Sequence, residues 1–466
     1  MRGPLHGIPI AVKDNIQTTD MPTTGGALAF EGFTPSYEAT LVTQLRQAGA
    51  IILAKTVMTE LANWVAAAMP GNYSAVGGWG MNPYDPRRDP REATGDGRPV
   101  LNAGGSSSGI GTAANLWAAS VGTETSGSIL VPANQTMLVG IKPTVGRISG
   151  RGVIPLSEDQ DTPGPMARSV TDAAILLGAL EDPASVICSV PADHDYTPYL
   201  RANGLRGARI GIPRAFFYDR VTPPGASDPR GGLGEAQARV MAEAIEVLRL
   251  SGAIIVDPVE IPSLVAAERN DSFVMWSMCA SDEGAKGKDG DCSVTFKYGM
   301  KRDFNAWLAT LGDRAPVKTL TELRNFNLAN RKRNSLRYEQ ARLDISDEMD
   351  VAADQARYEA DRQKDIRLSA TQGIDAAMRA HQLDALLIPG ATGANLAARP
   401  GYPTVIVPFG LVPNAPSPAF PDGFAARPSP FGVSFTGGAC SEPRLIELAY
   451  GFEQATRRRV PPPSAF

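Results

Sequence analysis

Residues 104–128, GGSSSGIGTAANLWAASVGTETSGS, concentrate the groups in this chain that could do chemistry. Ser106, Ser107 and Ser108 follow two glycines, and a second hydroxyl- and glycine-rich turn ends at Ser128. A serine hydroxyl serves as a nucleophile or a proton relay, and glycine lets backbone approach backbone or ligand closely. A nucleophilic loop, a phosphate-cradling loop and a plain linker all fit such a stretch. Linkers are polar throughout, whereas the middle here, AANLWAASV, is apolar enough to pack as a helix. The phosphate loop's G-K-[ST] ending is missing. A nucleophilic serine also needs something to take its proton. Lys13 closes residues 8–13, IPIAVK, which read as a short buried strand. Such a lysine either pairs with an acid, here Asp14, or is desolvated and held neutral; only the neutral amine is a base.

The elements that must position these groups repeat one pattern. Residues 37–47 have helical spacing, with Ser36 as the expected cap and Gly49 as the stop. An apolar strand at 50–53 follows. Residues 235–250 then 253–256, and 372–381 then 386–389, repeat helix, break and strand. This predicts an α/β layered fold with a largely buried sheet. Further strands are expected at 139–142, 209–213 and 404–410, and helices at 169–180, with Ser169 and Asp172 as a capping box, and at 442–458. Residues 322–370, charged and free of proline, should be helical. Residues 222–233 and 281–291 read as polar surface loops, the latter as a flap or an inert insertion, and the terminal PPPSAF as irregular.

Composition narrows the classes. With 45 Lys+Arg against 49 Asp+Glu there is no basic surface for nucleic acid, and no apolar run reaches the roughly 18 residues a membrane helix needs. Four scattered cysteines, Cys188, Cys279, Cys292 and Cys440, make neither a disulfide framework nor a zinc site. Reduced thiols are expected, although Cys279 and Cys292 flank a polar turn and could pair. A cytoplasmic protein, monomer or homodimer, with no nucleic-acid or membrane partner, is the expectation.

Residues 3–15 (GPLHGIPIAVKDN), 104–109 (GGSSSG), 122–128 (GTETSGS) and 160–170 (QDTPGPMARSV) together resemble the amidase signature family of serine hydrolases. AKTVMTELAN, GIKPTVG and GYPTVIVP carry the same resemblance, which runs from about residue 3 to 456 and is weakest between 187 and 370. It implies one catalytic domain over 1–466, with a family-like core at 3–186 and 371–456 and a variable insert at 187–370. The implied fold is layered α/β/α, with a large mixed, partly parallel central sheet covered by helices. The implied chemistry is hydrolysis of a linear C–N bond without metal or cofactor. By position, Ser128 is the nucleophile, Ser106 the bridging serine in a cis peptide, and Lys13 the base. Thr125, Ser126, Gly127 and Ser128 would present backbone N–H groups to the oxyanion. None of the three histidines, His6, His194 and His381, is needed for such a relay.

Glu124, inside the turn, reads as a structural anchor. Ser106 and Ser128 lie 22 positions apart, two fewer than the family's usual spacing, with the loss near Ala113. Two residues rotate a helix by about 200°, so Ser107 stays eligible as the bridge. Candidate pocket residues are Met58, Trp64, Trp117 and Trp276, with loops at 390–395 and 418–424. The substrate is expected to be a small-molecule amide, anilide or carbamate (urethane). The alternatives are a catalytically silent binding protein and a glutamine-hydrolysing amidotransferase A-type subunit.

Overall fold

A computed structural model describes residues 3–189 and 191–463; the expectation for PPPSAF falls partly on 464–466, outside the described residues. Ten strands make the central sheet: β1 (Pro9–Lys13), β2 (Ile51–Thr56), β3 (Ala119–Glu124), β4 (Val139–Lys142), β5 (Thr162–Ala167), β6 (Arg209–Gly211), β7 (Ile254–Val256), β8 (Ala385–Pro389), β9 (Thr404–Val412) and β10 (Ser429–Thr436). Their order is β7-β6-β8-β10-β9-β4-β5-β3-β1-β2. β2, β1 and β3 run parallel to one another, as do β7, β6 and β8. The pairings between these two groups are antiparallel. The expected layered, mixed α/β sheet is therefore present.

Helices α1 (Thr40–Gln47), α4 (Val170–Leu180), α5 (Glu235–Leu250) and α10 (Glu442–Thr456) form one covering layer. α2 (Ser108–Ala113) and α3 (Leu130–Gln135) touch each other and the sheet elsewhere. Covered by helices, β3, β4 and β5 are buried along their whole length, so they read as small and apolar runs without alternation. Ser169 caps α4 as expected, its hydroxyl oxygen accepting from the Asp172 N–H at 3.1 Å. At α1 the N-cap is Ala39, with no side-chain bond, and not Ser36.

Three expectations are corrected here, and one open alternative is decided. AANLWAASV is no helix: α2 stops at Ala113, Asn115 turns with φ +61°, and β3 begins at Ala119. Residues 322–370 are not one helix but α7 (Leu320–Ala329), α8 (Ala341–Asp347) and α9 (Gln355–Ile366), followed by a wide turn over Arg367–Ile374. Left-handed Asn334 and Glu339 separate the first two. Of the two readings of the loop at 281–291, the inert insertion fits better, because Lys286 pairs with Asp354 at 2.8 Å and Lys297 with Asp289 at 2.6 Å. Finally, the thiols are not reduced: Cys279 is bonded to Cys292, and Cys188 to Cys440 across 252 positions. The 13-position pair flanks a turn that spacing alone points to; the other depends on tertiary closeness that spacing cannot show.

Candidate active site

β1 and β3 are parallel neighbours, paired from Ile10 with Ala119 to Val12 with Val121. Just past that ladder the Lys13 Nζ donates to the Thr123 carbonyl at 3.0 Å. Lys13 is fully buried and forms no ion pair among the described residues. The reading that pairs it with Asp14 is overturned: Asp14 faces Lys55 at 3.6 Å and accepts from the Thr24 hydroxyl. Burial lowers the Lys13 pKa to about 8, while the negative charges of Asp161 and, less strongly, Glu124 work against that shift. Lys142, in β4 and three strands from β1, is also buried and lowered to about 8. Its ammonium donates to the Tyr402 and Pro143 carbonyls.

Ser106 sits at the entry to α2, bridged to Met58. It is fully buried, and its hydroxyl donates to the Ser108 Oγ at 2.8 Å while accepting from the Ser108 N–H at 3.2 Å. The Ser108 hydroxyl meets the Thr56 hydroxyl at 2.5 Å, so three hydroxyls form a buried chain. The Ser106 Oγ lies 3.9 Å from where a Cβ on Gly122 would stand, on the β3 side of the loop. The Ser107 hydroxyl instead donates to the Asn72 Oδ1 at 2.8 Å. The segment thus keeps Ser106, and not Ser107, facing the strand whose Thr123 receives Lys13. The peptide before Ser106 is not the expected cis bond; among the described residues the cis peptides are Asp257–Pro258 and Ser417–Pro418.

Ser128 ends the turn after β3 and lies against the serine loop, since a Cβ on Gly105 would stand 2.4 Å from the Ser128 Oγ. Glu124 is the anchor expected: its Oε2 accepts from the Ile129 and Leu130 N–H groups at 2.8 and 3.0 Å, at the start of α3. Thr125 is held from both sides, its hydroxyl donating to Asp161 and its carbonyl accepting from the Gln160 amide at 3.2 Å. Burial pushes the Asp161 carboxyl up to about 7. Ser126 is exposed, within 3.4 Å of the Asn395 Oδ1, and Gly127 takes φ +103°. Among the described residues the N–H groups of Ser126, Gly127 and Ser128 have no acceptor within the protein. Free donors beside a hydroxyl are what a developing oxyanion requires.

The tryptophans expected in a pocket are engaged elsewhere. The Trp64 indole N–H donates to Ser346, that of Trp276 to Asp365 and that of Trp117 to Thr112. Met58 is buried behind Ser106. None of the four lines the large cavity of about 760 Å³ beside the turn, whose wall includes Asn15, Thr123, Thr125 and Asp161. Asn15 and Asp161 fall inside GPLHGIPIAVKDN and QDTPGPMARSV, but their roles show only in three dimensions.

The sequence profile of the Amidase family matches residues 1–446. The chain belongs to the amidase family. It is 34% identical over 469 residues to an Arthroderma benhamiae protein named as an amidase, in a match that spans 98% of this chain and 72% of that one. The crystal structure of native peptide amidase from Stenotrophomonas maltophilia superposes with a TM-score of 0.79 at 37% identity, covering 99% of this chain and 85% of that one. The A-type component of the glutamyl-tRNA(Gln) amidotransferase from Rhodopirellula baltica is 38% identical, but over only 56% of this chain and 47% of its own. The chain is accordingly an amidohydrolase acting on amides.

Proposed function

We propose that residues 1–466 form one catalytic domain that hydrolyses linear amides, peptide C-terminal amides first, through an acyl-enzyme on Ser128. The observation that carries this reading is Lys13: an amine without a carboxylate partner among the described residues, fully buried, on the strand beside the one that leads to Ser128. Desolvation makes it a base at mildly alkaline pH.

The steps follow from proton positions. Ser106 donates its proton to the neutral Lys13 amine and takes the proton of Ser128, whose Oγ attacks the carbonyl carbon. The resting Ser106 donor points at Ser108, so the relay engages when that hydroxyl turns. The tetrahedral oxyanion accepts from the backbone donors at 125–128. The Lys13 ammonium then returns a proton through Ser106 to the leaving nitrogen, the C–N bond breaks, and ammonia, or an amine from a substituted amide, departs. Water, deprotonated along the same path, attacks the ester and releases the acid and Ser128. An anilide would follow the same course, and a carbamate would yield CO₂, an alcohol and an amine.

The glutamine-hydrolysing reading is weaker, because that likeness stops near half of either chain. Intact Lys13, Ser106 and Ser128 weigh against a silent binding protein. Small amides are the partners this reading requires. The two disulfides favour an oxidising compartment over the cytoplasm. Incubation with a panel of peptide amides, anilides and aryl carbamates tests the reading: release of ammonia from the amides and of an amine from the anilides and carbamates by the native chain, and none by Ser128→Ala, is the expected result. Undiminished turnover by Ser128→Ala would overturn it.

A further inference from the structure

The cavity beside the turn has walls from two parts of the chain. The core supplies Ile154 and Leu156 next to Thr125, and α6 (Thr295–Thr310), within the 187–370 insert, supplies Trp307. Tyr37 and Thr310 close one edge, their hydroxyls 2.6 Å apart. Trp307 is held edge-on against Phe30, with ring centroids 5.4 Å apart, and tilted against Phe304 at 5.5 Å. Its indole N–H has no acceptor among the described residues. A fixed aromatic wall beside aliphatic side chains is the composition of a ligand subsite.

A second, independent feature borders the same space. Leu61, Ala62 and Asn63 are three consecutive non-glycine residues with positive φ, at 43°, 56° and 68°. Single L-residues adopt this region rarely and runs of them more rarely still. The surroundings enforce it: the Leu61 N–H donates to the Gly25 carbonyl at 2.8 Å, Arg342 donates to the Asn63 carbonyl, and Glu60 accepts from the Ala75 N–H at 2.8 Å. Strain maintained this way clusters at functional sites, and the residue that this turn contributes to the cavity wall is Ala62.

We infer that this cavity receives a bulky apolar or aromatic arm of the amide substrate, and that Trp307 and Ala62 determine the size of arm accepted. The inference rests on the Ser128 reading, because the cavity meets the catalytic loop at Thr125. It makes the insert, through α6, the part of the chain that selects substrate while the core performs chemistry.

The test compares kcat/KM for N-acetylphenylalaninamide and N-acetylglycinamide, with competent sites counted by fluorophosphonate titration of Ser128. Trp307→Ala and Ala62→Leu should each lower the phenylalanine-to-glycine ratio by about tenfold or more, the scale at which apolar pockets discriminate. Trp307→Phe, which keeps an aromatic wall and is the safer variant for folding, should lower it less than Trp307→Ala. Ratios unchanged in variants that still label at Ser128 would overturn the subsite. Absence of labelling in the native chain would instead overturn the serine reading beneath it.

Discussion

The Lys13 Nζ donates to the Thr123 carbonyl across the boundary between two parallel strands, with no counter-carboxylate in contact with it among the described residues. An amine so placed is costly when charged, and the proposed relay draws on that cost. With its pKa near 8, the neutral form, the base of the proposed relay, grows about tenfold per pH unit below that value and saturates above it. kcat/KM should therefore rise from pH 6 to about 8 and level off. Asp161→Asn removes the larger of the two charges that favour the ammonium and should move the rising limb to lower pH. A profile flat from about pH 6 to 9 in the native chain would count against a lysine base.

The same shift has a stability consequence. Between about 8 and 10.5 the unfolded chain binds the proton that the folded chain has lost, so stability rises with pH through that window. Below about 8 the full penalty applies, up to about 3 kcal/mol, less the roughly 1 kcal/mol contributed by the Thr123 hydrogen bond. Lys13→Met should abolish turnover yet raise stability by about 1–2 kcal/mol at pH 7, with the gain shrinking toward pH 10. Denaturant titrations at the two pH values measure it.

Gly105 keeps room for Ser128, the nucleophile of the proposed mechanism. Its φ is not positive, so alanine suits the backbone there, but the new methyl would stand 2.4 Å from the Ser128 Oγ. Gly105→Ala, whose methyl would also stand 2.6 Å from the Ser128 Cβ, should lower stability by about 1–3 kcal/mol and cut kcat by about 10²-fold, the usual result of misplacing a reacting atom by an ångström. Native-like rates would show that Ser128 does not use that space.

Ser106→Ala should cost far more activity than Ser107→Ala, because the Ser107 hydroxyl is held by Asn72. Steady-state rates of the two variants decide it, and the reverse order would move the bridge to Ser107.

Reduction should destabilise without touching the relay. In chain-entropy terms, the Cys279–Cys292 loop is worth about 3 kcal/mol and the far longer Cys188–Cys440 loop about 5 kcal/mol. Replacing the second pair by serine should lower the melting temperature more than replacing the first.

Much of this is legible in the sequence, for physical reasons. IPIAVK, the stretch that forms α5, and the serine loop carry local signals strong enough to survive tertiary context. β5 is hidden because Pro163 and Pro165 argue against an interior strand. The break between α7 and α8 is hidden because Asn334 and Glu339 adopt left-handed geometry that no glycine announces. At the site, residue types mark Lys13, Ser106, Ser128 and the Glu124 anchor. The Asp161 clamp on Thr125 and the Trp307 wall join segments far apart in sequence, and only folding brings them together.

The most direct measurement is fluorophosphonate labelling at pH 8, followed by peptide mapping, on the native chain and on Lys13→Ala. The expected result is one phosphonylated residue, Ser128, whose labelling rate falls by at least about 10²-fold without Lys13. A label on another residue, or a Ser128 rate indifferent to Lys13, would contradict the relay.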